Sequence, residues 1–148
     1  MQRILIATDG SDSALEAVEL GLELARAEHA EATIIHVTVP IEWAVYPFGP
    51  LDAIPDEARA VADDDALRAA LERAAEKGVV AHPVSVLGDP VTEVAAYAER
   101  MHADLIVIGS RGLGGVTSAL LGSVSKGVLR HAERPVLVVR AAHAVAHA

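Results

Sequence analysis

Gly109-Ser110-Arg111-Gly112 is followed after nine residues by Gly122-Ser123, and the run comes directly after an apolar segment, Asp104-Leu105-Ile106-Val107-Ile108. A glycine-rich stretch between a buried strand and a helix suits an anion. Without Cβ atoms, Gly109 and Gly112 can take positive φ and let backbone amides approach a ligand, and Gly122-Ser123 opens a helix whose first amides lack partners within it. The pattern points to the phosphates of a nucleotide, although glycine also serves simply to turn a chain from strand to helix. A second loop, Thr8-Asp9-Gly10-Ser11, follows the apolar run Ile4-Leu5-Ile6-Ala7. A carboxylate there repels phosphate but suits ribose hydroxyls or the polar edge of a base; Asp-Gly is equally a common turn dipeptide. The fork of Arg111 matches phosphate oxygens and also suits a solvated loop. Lys126, one turn into the helix, reads as a surface lysine. The seven histidines, His29, His36, His82, His102, His131, His143 and His147, show no ligand spacing of the His-Glu-x-x-His kind and read as structural or exposed, with His143 and His147 four apart in the tail.

Such loops need strands to carry them. Arg3 to Thr8, Thr33 to Val39, Val79 to Val86, Leu105 to Ile108 and Pro135 to Val139 are near-continuous apolar runs, the pattern of strands covered on both faces in a parallel sheet. Helical patterns lie between them. The first carries Leu15, Val18, Leu22 and Ala25 on one face, with Ser11, Asp12 or Ser13 as its cap. The second is expected to open at Pro55-Asp56-Glu57 and to run through Leu67, Leu71 and Ala74 to Lys77-Gly78. The third starts at Asp89-Pro90 with a stripe of Val91, Val94, Ala98 and Met101, and the fourth runs from Gly122-Ser123 to before Arg134-Pro135. Five strands alternating with four helices predict a doubly wound α/β sandwich. Ligands in such sheets bind beyond the carboxyl ends of strands where the winding reverses. The aromatic-bearing segment Pro40 to Ile54, with Trp43, Tyr46 and Phe48, is expected to lie as a flap over that crevice.

Composition excludes several classes of function. At 148 residues the chain has the size of one domain, which buries roughly 70% of its unfolded surface. Residues 1–140 form that domain and 141–148 an Ala/His tail, expected to be disordered. The apolar half of the composition is mainly Ala, Val and Leu, with only 3% aromatic, so the core should be aliphatic. A net charge of −9 opposes binding to nucleic acid, where Lys and Arg must neutralise phosphates. The absence of cysteine removes disulfides, thiolate metal sites and cysteine nucleophiles. No apolar run approaches the roughly 20 residues of a membrane span, and no signal peptide is visible, so a cytoplasmic location is expected.

Taken together, Gly109-x2-Gly112-x9-Gly122-Ser123, the opening Ile4 to Ser11 and the closing Pro135-Val136-Leu137-Val138-Val139 resemble the universal stress protein family over residues 1–140. The resemblance implies a three-layer sandwich with a five-stranded parallel sheet in the order 3-2-1-4-5, and the glycine spacing is that of members which bind ATP. It further implies that Gly112, Gly122 and Ser123 contact phosphates, that Ile108 and Gly109 lie along the ribose and adenine, and that Val37 meets the adenine edge through its backbone. Ala7, Thr8 and Asp9 fall on the nucleoside side and Arg111 on the phosphate side. Val124 offers an amide but no hydroxyl, leaving Ser125 as the next side chain able to bond a phosphate. Mg²⁺ is expected to accompany the phosphates, which would supply most of its ligands.

Three functional expectations follow. Gly122 stands where a Walker A loop has its lysine, and only Arg111 and Lys126 offer charge for phosphoryl transfer, so hydrolysis should be slow or absent and the protein should act as a regulatory or protective binding module. Two alternatives are an interaction module without nucleotide and, from a loose likeness of Thr8 to Ser13 to the loop of ATP pyrophosphatases, an adenylating enzyme. Against the latter, Asp9 puts a carboxylate where that loop has a glycine facing pyrophosphate. Finally, the last strand, Pro135 to Val139, would be an apolar edge, and both that exposure and the resemblance imply a homodimer through it.

Overall fold

The structure, a computed structural model, describes residues 1–40, 57–111 and 121–140. The expected flap at 41–54, the helix start at Pro55-Asp56, Gly112 and the tail 141–148 lie outside the described residues.

Five parallel strands form one sheet: β1 (Arg3–Ala7), β2 (Glu31–Thr38), β3 (Ala81–Leu87), β4 (Leu105–Gly109) and β5 (Val136–Val139), in the order β3-β2-β1-β4-β5. Between them run α1 (Asp12–Glu28), α2 (Glu57–Ala62), α3 (Asp65–Glu76), α4 (Pro90–Arg100) and α5 (Ser123–His131). The expected order and α/β class are met. Residues alternate between two cores, as period-two side chains require. Ile4, Ile6, Ile34 and Val107 pack with Val18 and Leu22 of α1 and Leu67, Ala70 and Ala74 of α3. Leu5, Ile35, Ile106 and Ile108 pack on the opposite face with Val94 and Ala98 of α4 and Val128 of α5. Burying each such Leu, Ile or Val is worth roughly 1.5–3 kcal/mol. That explains why the central strands read as unbroken apolar runs.

The edges read differently. β3 and β5 are half-buried along most of their length, each pairing on one side only. Pro83 sits in β3, where the missing N–H disrupts no inner ladder.

One helix departs from expectation. The single helix expected from Pro55 to Lys77 is interrupted at Asp63-Asp64, and α3 begins anew with Asp64 as its cap, accepting from the Leu67 amide at 3.0 Å. A side chain that bonds its own backbone competes with helix continuation. Asp64 also bonds His36 and Ser85, which hold it in that role. The open choice at the start of α1 resolves to Ser11, whose Oγ accepts the Ala14 amide at 3.2 Å.

The amino-terminal edge of the sheet is tied by Asp104, whose Oδ2 accepts the amides of Gln2 at 2.7 Å and Arg3 at 2.9 Å. These two amides, Gln2 first, hold its carboxyl below the ordinary value of 3.8. A depressed folded-state pKa contributes stability above the unfolded value that is lost as pH falls through the folded one. Asp104→Asn is therefore expected to lower the melting temperature at about pH 7, and the deficit is expected to shrink as pH falls from 3.8 toward about 2. Thermal melts at both values check this; an equal deficit at the two would assign the effect to something other than charge.

Candidate functional site

The chain runs outward from β1 to β2 and β3 with α1, α2 and α3, then returns to the other side of β1 for β4 and β5 with α4 and α5. The winding thus reverses between β1 and β4, and the loops leaving these neighbours diverge there. Both glycine-bearing segments singled out in the sequence leave from this point.

At the end of β1, Ala7 and Thr8 are buried, and the Thr8 amide continues the sheet by donating to Ile35 O at 2.9 Å. The chain then folds back on itself. The Gly10 amide donates to Thr8 Oγ1 at 3.2 Å and the Ser11 amide to Asp9 Oδ1 at 2.9 Å, so part of the Asp9 carboxylate is used to shape the turn. Gly10 has φ of +82°, a left-handed conformation that a Cβ would oppose. Asp9 thus serves as a turn former, and it stands at the switch point as well.

At the end of β4, Ile108 and Ser110 are buried and Gly109 packs directly on the start of α1. A Cβ on Gly109 would stand 2.9 Å from the Ser13 carbonyl oxygen. Gly109 does not use the positive φ open to it; among the described glycines that conformation occurs at Gly10, Gly78 and Gly88. Here glycine is required by the close approach of strand and helix. The Arg111 amide then donates to Ser13 Oγ at 3.4 Å, joining the β4 loop to the same helix start.

The chain returns at Gly122, whose amide donates to Ser110 O at 2.7 Å. Ser125 Oγ–H is directed at Ser110 O, 3.1 Å away, and at Gly122 O, 3.0 Å away. The two ends of the intervening loop are therefore clasped. Ser125 is 2% exposed, and its hydroxyl proton faces these two carbonyls, a positioning contact that fastens the loop. By contrast Ser123 is exposed and Val124 packs partly into the core beside Val128.

The start of α5 is chemically distinct. Ser11, Asp64 and Asp89 cap α1, α3 and α4 with a side-chain acceptor, whereas Gly122 offers α5 none. The first bond within α5 runs from the Lys126 amide to Gly122 O, so the amides of Ser123, Val124 and Ser125 have no acceptor inside the helix. Three such N–H groups and the helix dipole favour an anion. Lys126 is exposed on the next turn, as read from the sequence.

The switch point thus brings together Ala7, Thr8, Asp9, Ile108, Gly109, Arg111, Gly122, Ser123, Val124 and Ser125. Val37 lies one strand away near the end of β2, partly buried against the α4 and α5 core. Sequence reasoning missed Ser13 and Ser110, whose roles are contacts across 98 and 15 residues. It also missed the buried contact of His36 with Asp64 and Ser85; the run Asp63-Asp64-Asp65 inside a helical pattern was its one visible sign. Among the described residues, no three His, Cys, Asp or Glu side chains form a metal cage, and no helix is long and apolar enough to cross a membrane.

A family model described as the universal stress protein family matches residues 1–140. The chain is 37% identical over 146 residues to universal stress protein YxiE of Bacillus subtilis, an alignment covering 93% of this chain and 98% of that protein. It is 37% identical over 139 residues to universal stress protein MJ0531 of Methanocaldococcus jannaschii, covering 94% and 82%. Among solved structures, a universal stress protein in complex with cAMP superposes with a TM-score of 0.68 at 31% identity, covering 94% of this chain and 96% of that one. With the fold, the loop spacing and these likenesses in agreement, the chain belongs to the universal stress protein family.

Proposed function

We propose that this protein binds an adenine nucleotide, ATP in the first instance, at the carboxyl ends of β1 and β4, and works as a regulatory or protective binding module in a cytoplasmic stress response. The observation that carries this reading is the uncapped, glycine-started α5, clasped to β4 at the switch point. The similar solved protein that holds cAMP supports an adenine ligand. In this reading the amides of Ser123, Val124 and Ser125 face phosphate, with Gly112, Gly122 and Arg111 beside them. Asp9 meets ribose or base, while Ala7, Thr8, Val37, Ile108 and Gly109 frame the nucleoside.

The donor set decides how charge is handled. Residues 112–125 carry no Lys or Arg, so neutral amides and hydroxyls do most of the holding, with Arg111 and Lys126 at the flanks. Mg²⁺ fits as a companion of the phosphates, which would supply most of its oxygens. With no lysine in the Walker A position, hydrolysis is slow or absent, and the nucleotide acts as a conformational or stabilising ligand. A homodimer forms by pairing of β5, an apolar strand that is an edge among the described residues and so offers its outer ladder to a second copy.

Two measurements test these readings. ATP, with and without Mg²⁺, at about 100 times its dissociation constant is expected to add roughly 2.7 kcal/mol of stability. Gly122→Val should remove that gain, because a β-branched side chain blocks the approach to the α5 amides; a melt insensitive to ATP, ADP, AMP and cAMP would overturn the nucleotide reading. For assembly, Val138→Glu is expected to convert a dimer to a monomer in analytical ultracentrifugation. A variant that stays dimeric at micromolar concentration would remove β5 from the interface.

A further inference from the structure

His36, Asp64 and Ser85 meet on the α3 face of the sheet. His36 Nδ1 lies 2.9 and 2.7 Å from the two carboxylate oxygens of Asp64. Ser85 Oγ donates to Oδ2 at 3.1 Å and the Leu67 amide to Oδ1 at 3.0 Å. A carboxylate only accepts, so His36 presents Nδ1 as N–H. The cross-strand register places His36 directly opposite Ser85, so one carboxylate from the start of α3 ties together the ends of two strands. Asp64 is 9% exposed, and a buried carboxylate left without its donors is expensive. The knot therefore holds the first turn of α3 in one place.

That turn supports the loop after β1. A Cβ on Gly10 would stand 3.1 Å from Ala66 Cβ and 3.5 Å from Ala66 Cα, so the loop rests on the second residue of α3. The register runs on across the sheet: Ala7 pairs with Ile35, and the Thr8 amide donates to Ile35 O, which sets Thr8 beside His36. The turn from Thr8 to Ser11 has its own short-range bonds to Thr8 Oγ1 and Asp9 Oδ1 and continues into α1 through the Ser11 cap, and α3 adds a contact to it. Its placement relative to the sheet is thus supported by α3 beneath Gly10.

We infer that His36 is a positioning residue for the nucleoside half of the site. Through Asp64 it sets the first turn of α3, and through Ala66 and Gly10 it sets where Asp9 points. The inference rests on the nucleotide reading above and divides that site in two. The β4–α5 clasp, built from Ser110, Gly122 and Ser125, does not involve the knot, so the phosphate half keeps its geometry when His36 is changed.

Calorimetric titration of wild type, His36→Leu and His36→Asn with AMP, adenosine and inorganic pyrophosphate tests this, together with amide exchange on the ligand-free proteins. Leucine removes the donor to Asp64, whereas the asparagine amide can stand near the Nδ1 position. His36→Leu is expected to weaken AMP and adenosine alike by about tenfold with pyrophosphate unchanged, and His36→Asn to stay within about threefold of wild type. In exchange, the Gly10, Ser11 and Leu67 amides lose protection in the leucine variant and keep it in the asparagine one. Equal losses for adenosine and pyrophosphate, unaltered adenosine affinity in folded His36→Leu, or asparagine failing as badly as leucine would each overturn the inference. If wild type binds none of the three ligands, the nucleotide reading falls, and exchange alone decides the positioning: unchanged protection at Gly10 and Ser11 overturns it. Should His36→Leu not fold, Ser85→Ala withdraws one donor from the same carboxylate, with the same pattern expected at about threefold; no change at Gly10 would count against the inference.

Discussion

A parallel sheet covered by helices on both faces has only the ends of its strands left for a ligand, and this constraint arranges the rest of the molecule. The central strands bury both sides of Ile4 to Ile6 and of Ile106 to Ile108, so no pocket can open across the sheet without emptying the core. At the carboxyl ends the chain must leave each strand through a loop. Between β1 and β4 those loops part to opposite faces, which makes room. Gly109 tightens the same place by letting β4 approach the Ser13 carbonyl, closer than a residue with a Cβ could.

The electrostatics follow from how the helices begin. Three capped helices each satisfy one of their first amides with the cap side chain, while α5 has no such acceptor at Gly122. In a protein with a net charge of −9, an anion bound as proposed at the start of α5 would be held mainly by dipoles placed in advance, with Arg111 and Lys126 only at the flanks. Such dipoles need rigid support, which the Gly122 amide and Ser125 hydroxyl give by fastening the end of the loop to Ser110. Ser125 has the chemistry of a ligand contact, and its burial gives that hydroxyl a structural task.

Much was legible from residue order because it is a consequence of local rules. Strand positions follow from unbroken apolar runs, the start of α4 from Asp89-Pro90, and the start of α5 from Gly122-Ser123. The family resemblance extended this to the strand order, which composition alone does not contain. The failures share one physical cause. The break at Asp64 depends on His36 and Ser85, distant partners that stabilise a cap inside a helical pattern. The glycine at 109 was understood as conformational freedom when the constraint was the nearness of Ser13.

By itself, then, the amino-acid order determined which segments are strands and helices, that the core is aliphatic, and that two glycine-bearing loops follow the first and fourth strands. Local sterics, hydrophobic periodicity and capping are properties of neighbours in the chain, and they can be read there. Tertiary structure alone decided that Ser110 and Ser125 close one loop, that Gly109 packs on α1, and that a carboxylate at the start of α3 binds two strand ends. Those contacts join residues far apart in sequence, and hydrogen bonds and close packing act through distance in space, which residue order does not encode directly.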